Sequence, residues 1–107
     1  MTVGIARLTY FLPASHSLKE KRMVLRRLKD LVRGKFNVSV AEVGENDKWQ
    51  RAILGVTLVA NDRKFADAAL NEVLAFIRGQ VELSHEEREL QSFGDELAGP
   101  DFKHWEG

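Results

Sequence analysis

The stretch Leu12-Pro13-Ala14-Ser15-His16-Ser17-Leu18-Lys19-Glu20-Lys21-Arg22 is where the chain changes period. Upstream of it, Val3 to Leu12 alternates and is rich in β-branched and aromatic residues, the pattern of a strand. Gly4, Ala6, Leu8, Tyr10 and Leu12 share one face; Val3, Ile5, Arg7, Thr9 and Phe11 share the other. Pro13 closes the strand because proline has no N–H for the ladder. Ser17 followed by Leu18-Lys19-Glu20 is a capping box, in which the serine oxygen accepts from the third helical amide and Glu20 reaches back. The helix that follows is expected to run to about Arg33, with Gly34 as its stop signal. Its buried stripe is read as Leu18, Val24, Leu25, Leu28, Leu31 and Val32.

Working outward, a second strand is expected over Phe36–Val43 and a third over Trp49–Ala60. The polar insert Gly44-Glu45-Asn46-Asp47-Lys48 between these two apolar runs indicates a hairpin. Asn61 is expected to cap a second helix over Asp62 to about Arg78, whose apolar residues recur at three and four. Gly79 should end it. Val81–Gln91 is a fourth, acidic strand suited to a sheet edge, and residues 93–107 read as an acidic, mobile tail beyond a domain of residues 1–92. The order strand, helix, strand, strand, helix, strand predicts an α+β ferredoxin-like βαββαβ sandwich. Its four-stranded antiparallel sheet carries both helices on one face, with strands 1 and 3 central.

Composition removes several chemistries. Among 107 residues there is no cysteine, so disulfides and thiolate sites are excluded. The three histidines, His16, His85 and His104, lack ligand spacing, and neither a metal nor another cofactor is expected. No apolar run is long enough to cross a bilayer and no signal peptide is visible, so the expected compartment is the cytoplasm. Net charge is zero but unevenly spread. Between His16 and Phe36 eight basic residues face two acidic ones, and from Glu82 onward eight acidic residues face Arg88 and Lys103. That asymmetry means either local self-pairing or a basic face for an anionic partner.

The junction from Leu12 to Arg22, together with Phe36-Asn37-Val38-Ser39-Val40-Ala41-Glu42-Val43 and Trp49-Gln50-Arg51-Ala52, resembles the YlxP-like family of small bacterial proteins of unknown function. Asn61-Asp62-Arg63 also fits, and the likeness covers roughly residues 1–92. The resemblance implies a ferredoxin-like fold. It also implies association with RNA or the ribosome, because members often neighbour translation and ribosome-maturation genes. The tail from Phe93 does not match the usual family ending.

Three surfaces follow from these faces. Lys19, Arg22, Arg26, Lys29 and Arg33 are spaced to form one basic stripe on the first helix, able to meet several phosphates; the plain alternative is a solvated helix face. On the sheet face away from the helices, Phe11, Trp49, Arg51, Ile53 and Val59 form an apolar, partly aromatic surface. A homodimer is its favoured occupant and stacked bases the second. Lys21 points into the apolar stripe of its helix and Glu42 lies under it at the same end of the sheet, so a buried Lys21–Glu42 ion pair is expected. Ser15, His16 and Ser17 lack an acidic partner or an oxyanion motif, and no glycine loop cradles a phosphate. The expectation is therefore a non-enzymatic, dimeric binding protein with RNA or a ribosomal particle as partner. The alternative is a protein-interaction or regulatory module that binds no nucleic acid.

Overall fold

β1 (Thr2–Phe11) is paired along its whole length on one side and from Thr2 to Tyr10 on the other, which makes it the spine of the molecule. The computed structural model describes residues 1–94. After β1 come α1 (Leu18–Lys35), β2 (Ser39–Gly44), β3 (Arg51–Ala60), α2 (Arg63–Gln80) and β4 (Leu83–Ser92). The sheet order is β2-β3-β1-β4 and every neighbouring pair is antiparallel. This is the ferredoxin-like βαββαβ sandwich, with β1 and β3 central. From residue 95 onward, the acidic tail expected from the sequence lies outside the described residues.

Alternation fixes which face each strand residue takes. Ala6, Leu8 and Tyr10 of β1 and Ala52, Leu54, Val56 and Leu58 of β3 turn toward the helices and are buried. They meet Leu25, Leu28 and Val32 of α1 and Ala66, Leu70, Val73, Leu74 and Ile77 of α2. Burying this many aliphatic side chains, each contributing about 1.5–3 kcal/mol, is the main term holding the domain together.

Several expected boundaries shift, each for a local reason. α1 runs through Gly34 to Lys35, and the Phe36 N–H then donates to Val32 O at 2.8 Å. Phe36 sets the exit by packing edge-on to Phe76 of α2, with ring centroids 5.6 Å apart. Asp62, not Asn61, caps α2, its Oδ1 accepting from the Phe65 amide at 2.9 Å. Pairing of β3 with β1 continues through Ala60, so the chain turns one residue later. β2 starts at Ser39 and β3 at Arg51, because the segment carrying Trp49 belongs to the connecting loop.

The stripe of α1 is also corrected. Lys21, Leu25, Leu28 and Val32, spaced four, three and four apart, are the residues of α1 that face the sheet. Seating Lys21 in that stripe rotates Val24 and Leu31 onto the flank, where they are 39% and 47% exposed. β2 carries a bulge: Glu42 pairs with Leu54 and Gly44 with Ile53, leaving Val43 as the extra residue. The extra residue bends the strand end and leaves Glu42 on the inner face beneath the first turns of α1.

Candidate functional site

Lys21 is the most deeply buried cation of the domain, 1% exposed, and three oxygens surround its ammonium. Glu42 Oε2 lies 2.7 Å from Nζ, while Nζ donates to Glu45 O at 2.6 Å and to Lys48 O at 2.8 Å. The Glu42 contact is an ion pair set off-angle for a hydrogen bond, so buried Oε2 has no well-directed donor. Two hydrogen bonds to carbonyls and one carboxylate charge thus surround the ammonium, and together they make its burial tolerable. Two of those oxygens are main-chain carbonyls of the β2–β3 loop, a role the sequence pattern did not reveal.

That loop is fastened from several directions. Glu45 is the one described non-glycine residue with positive φ, at 58°. Its carbonyl takes both the Lys21 ammonium and the Lys48 amide, the latter at 3.1 Å. A residue held in that region costs about 1 kcal/mol or more and persists where its surroundings demand it. Arg51 donates to Glu45 Oε1 at 2.8 Å, and Gln50 Nε2 donates to Pro13 O at 3.1 Å and Ser15 O at 3.2 Å. The junction that begins α1 is equally fixed. Ser17 Oγ accepts from the Glu20 amide at 3.1 Å, and Glu20 reaches back one residue beyond the cap to the His16 N–H at 2.7 Å. Ser15 is buried and its hydroxyl donates to Ser17 O.

The arginines divide into two populations. Every arginine outside α1 is hydrogen-bonded. Arg7 grips Glu87, Arg51 holds Glu45, Arg63 meets Ser92 Oγ, Arg78 clasps Glu86 with two bonds, and Arg88 spans Asp67 and Asn71. The acidity of β4 is therefore largely answered by β1 and α2. Hydrogen bonds from Arg78 hold the Glu86 carboxyl below its ordinary range, and those from Arg7 do the same for Glu87. On α1, by contrast, Lys19, Arg22, Arg26 and Lys29, and Arg27 off their row, make no hydrogen bond or ion pair with any described residue. Arg33 departs from the expected stripe, since its guanidinium donates to the Val40 carbonyl of β2. Its direction places the basic flank over the β2 edge, whereas Lys35, on the opposite flank, lies 4.8 Å from the Phe76 ring of α2.

The sheet face away from the helices divides in two. Away from the β2–β3 end it mixes apolar and polar side chains: Ile5 and Ile53 are half-buried, Val59 is 66% exposed and Val43 stands beside Gly55, but the Arg7–Glu87 pair crosses its middle. At the β2–β3 end, Phe11, Glu45, Asp47, Lys48, Trp49, Gln50 and Arg51 line a concavity of about 620 Å³. Phe11 and Trp49 are 41% and 54% exposed within it. Arg7 and Arg51 are occupied by carboxylates and are not free to stack on bases. Among the described residues, no cluster of three or more His, Cys, Asp or Glu side chains is placed to hold a metal ion.

One surface was missed in the sequence. Met23, Val24 and Leu31 are exposed along the α1 flank opposite the basic row. Met23 and Val24, with Arg27, border a cleft of about 510 Å³ floored by Tyr10, Leu12 and Val81. The signal was present in the spacing, because seven apolar positions around α1 exceed what one buried stripe accommodates.

Comparison with known proteins adds the relatives. A family model described as "Protein of unknown function (DUF503)" matches residues 3–89. The chain is 43% identical over 75 residues to the uncharacterized protein YlxP of Bacillus subtilis (strain 168), covering 70% of this chain and 82% of the relative. Among solved structures, a de novo designed protein with a ferredoxin fold superposes with a TM-score of 0.51 at 12% identity, covering 87% of each chain. At that identity the likeness speaks for the fold alone, whereas the family model and the Bacillus relative agree with the motifs at the β1–α1 junction: this chain belongs to the YlxP-like family of proteins of unknown function.

Proposed function

We propose that the chain is a non-enzymatic, cytoplasmic RNA-binding protein whose contact surface is the basic row of α1. One observation carries this reading. Arginines elsewhere in the domain are engaged by side-chain acceptors, but Arg22 and Arg26, with Lys19 and Lys29, stand in a row without a partner among the described residues. Of the two acids of α1, Glu20 is bonded to the His16 amide, and Asp30, one turn on from Arg26, makes no ion pair with any described residue. A row of unpaired cations spaced along a helix suits consecutive phosphates, which release counterions when they are met. Such contacts position a nucleic acid without reading its sequence. Ribosomal RNA is the natural first probe for a protein of this surface chemistry.

The test is a filter-binding titration against ribosomal RNA over a range of salt, with the parent chain and an Arg22→Gln/Arg26→Gln/Lys29→Gln variant. Losing three phosphate contacts should flatten the slope of log affinity against log salt by about 2 for single-stranded RNA, from ~0.7 per contact. No retention of RNA at low salt by the parent chain would refute the reading.

A second reading concerns self-association and is favoured by the exposed Val59, Val43 and half-buried Ile53 on one sheet face. Such apolar side chains, interrupted by Thr57 and by the Arg7–Glu87 pair, suit a second copy of the chain, with Ile53 and Val59 in the contact. A protein-interaction module using only that face would survive the loss of the RNA reading.

A further inference from the structure

The concavity at the β2–β3 end of the sheet combines features that rarely occur together: an exposed tryptophan and a backbone with little freedom. Trp49 is 54% exposed, so it contributes little to the core. Yet the residues around it are pinned by the Lys21 ammonium, the Glu45–Arg51 ion pair, the Gln50 side chain and the Leu12 N–H, which donates to Gln50 O at 2.8 Å. Exposed indoles on loose loops are ordinary. One held out on a braced loop is pre-organised for contact, which lowers the ordering cost of binding.

The lining narrows the ligand. Glu45 and Arg51 neutralise each other, and Asp47 is balanced by Lys48, so the floor has no net charge and does not favour phosphate. What remains is two aromatic faces, Phe11 and Trp49. The one ring pair among the described residues is Phe36–Phe76, so neither face is stacked on another ring. A flat, neutral, polarisable group fits such a floor. The concavity is on the sheet face away from α1, so an RNA strand reaching both surfaces must pass around the end of the sheet where Lys21 of α1 is bonded to this loop.

We infer that Trp49, supported by Phe11, is a stacking platform for an unpaired nucleobase of an RNA strand whose phosphates run along Lys19, Arg22, Arg26 and Lys29. This rests on the RNA reading above and adds to it a division of labour: the helix meets the charged backbone, and the loop meets a base. Aromatic stacking tolerates any base, so the platform adds affinity for single-stranded over double-stranded RNA and little sequence preference.

The experiment uses the full chain with Trp105→Phe, which leaves Trp49 as the single indole. The probes are a 12-nucleotide oligouridylate and a ribose-phosphate oligomer of the same length without bases. Oligouridylate should quench the Trp49 emission, and the baseless oligomer should not. In a titration with labelled oligouridylate, Trp49→Ala should weaken binding roughly tenfold, within the range that stacking one base supplies. Its salt slope should stay that of the parent, while Trp49→Phe should keep most of the affinity. The baseless oligomer should bind parent and Trp49→Ala alike. Equal oligouridylate affinity for parent and Trp49→Ala, with binding still lost in the Arg22→Gln/Arg26→Gln/Lys29→Gln variant, would overturn the platform and leave the RNA reading standing. Absence of binding by the parent at low salt would overturn both. Far-ultraviolet circular dichroism and the urea midpoint of Trp49→Ala check that the exposed position is replaced without loss of fold.

Discussion

Replacing Glu42 with alanine takes away the one charged partner that a buried ammonium has among the described residues and leaves the rest of the site in place. Lys21 is 1% exposed and has three oxygens within 2.6–2.8 Å, of which only the Glu42 carboxylate is charged. Breaking a buried pair from one side generally costs about 3–5 kcal/mol, since the remaining charge is uncompensated. Here the two loop carbonyls stay bonded, and the Glu42 side chain is 17% exposed, so water can enter the vacated space. Both effects place the expected loss at the low end, about 3 kcal/mol. Glu42→Gln keeps an acceptor and should cost about 1.5 kcal/mol, the scale of a hydrogen bond to a charged group. Urea unfolding reads these losses as lower midpoints at unchanged slope. Lys21→Met and the double variant Lys21→Met/Glu42→Ala complete a cycle, and the double variant should lose less than the sum of the singles by at least about 1 kcal/mol. A loss below about 1 kcal/mol for Glu42→Ala, or strict additivity in the cycle, would refute the reasoning that the pair is a coupled, desolvated unit.

Other measurements bear on the remaining surfaces. Val59→Asp places a charge on a residue that is 66% exposed in the single chain, so it should spare folding while breaking the proposed dimer. Sedimentation showing the same species for parent and variant would count against that dimer. Ser17→Ala deletes the cap of α1 and should cost about 1 kcal/mol, lowering Tm by about 4–8 °C in a thermal scan. Glu86 has a lowered folded-state pKa because of Arg78, so its contribution is present above the ordinary carboxylate value of 4.5 and is lost as pH falls through the depressed value. In Arg78→Gln the fall of the urea midpoint below about pH 4.5 should be shallower than in the parent. Truncation after Phe93 should raise RNA affinity at low salt if the acidic residues beyond it compete for the same cations; unchanged affinity would separate the two.

The element order and the two-faced strands were legible because they rest on local periodicity: Gly4 to Leu12 alternate, and α2 repeats at three and four over a span too long to mistake. Lys21 was conspicuous as a cation inside an apolar stripe, and strand parity placed Glu42 beneath it. What stayed hidden depended on contacts distant in sequence. No pattern around Gly44–Lys48 shows that its carbonyls turn to α1, since that orientation comes from a positive φ at Glu45 and a bulge at Val43. Lys19, Arg22, Arg26, Lys29 and Arg33 look equivalent in the sequence, and only the proximity of β2 separates Arg33 from the others. Likewise Arg7 and Arg51 look available until β4 and the β2–β3 loop bring Glu87 and Glu45 to them. Spacing alone points Val24 and Leu31 to the core, because it cannot say how a helix is rotated about its axis once a lysine takes a core position.

The guanidinium of Arg33 on the Val40 carbonyl has a bearing on how copies of the chain meet. β2 is an open edge, and unpaired N–H and C=O groups on such an edge invite strands from other molecules and, in the end, fibrils. Two copies joining antiparallel along β2 would first have to strip Arg33 from Val40 in each. They would then bring two rows of Lys19, Arg22, Arg26 and Lys29 alongside one another, a like-charge encounter that opposes the union most strongly at low ionic strength. The same cations that suit a phosphate chain therefore act as a guard against continuous β-sheet growth, and that protection should weaken as salt is raised.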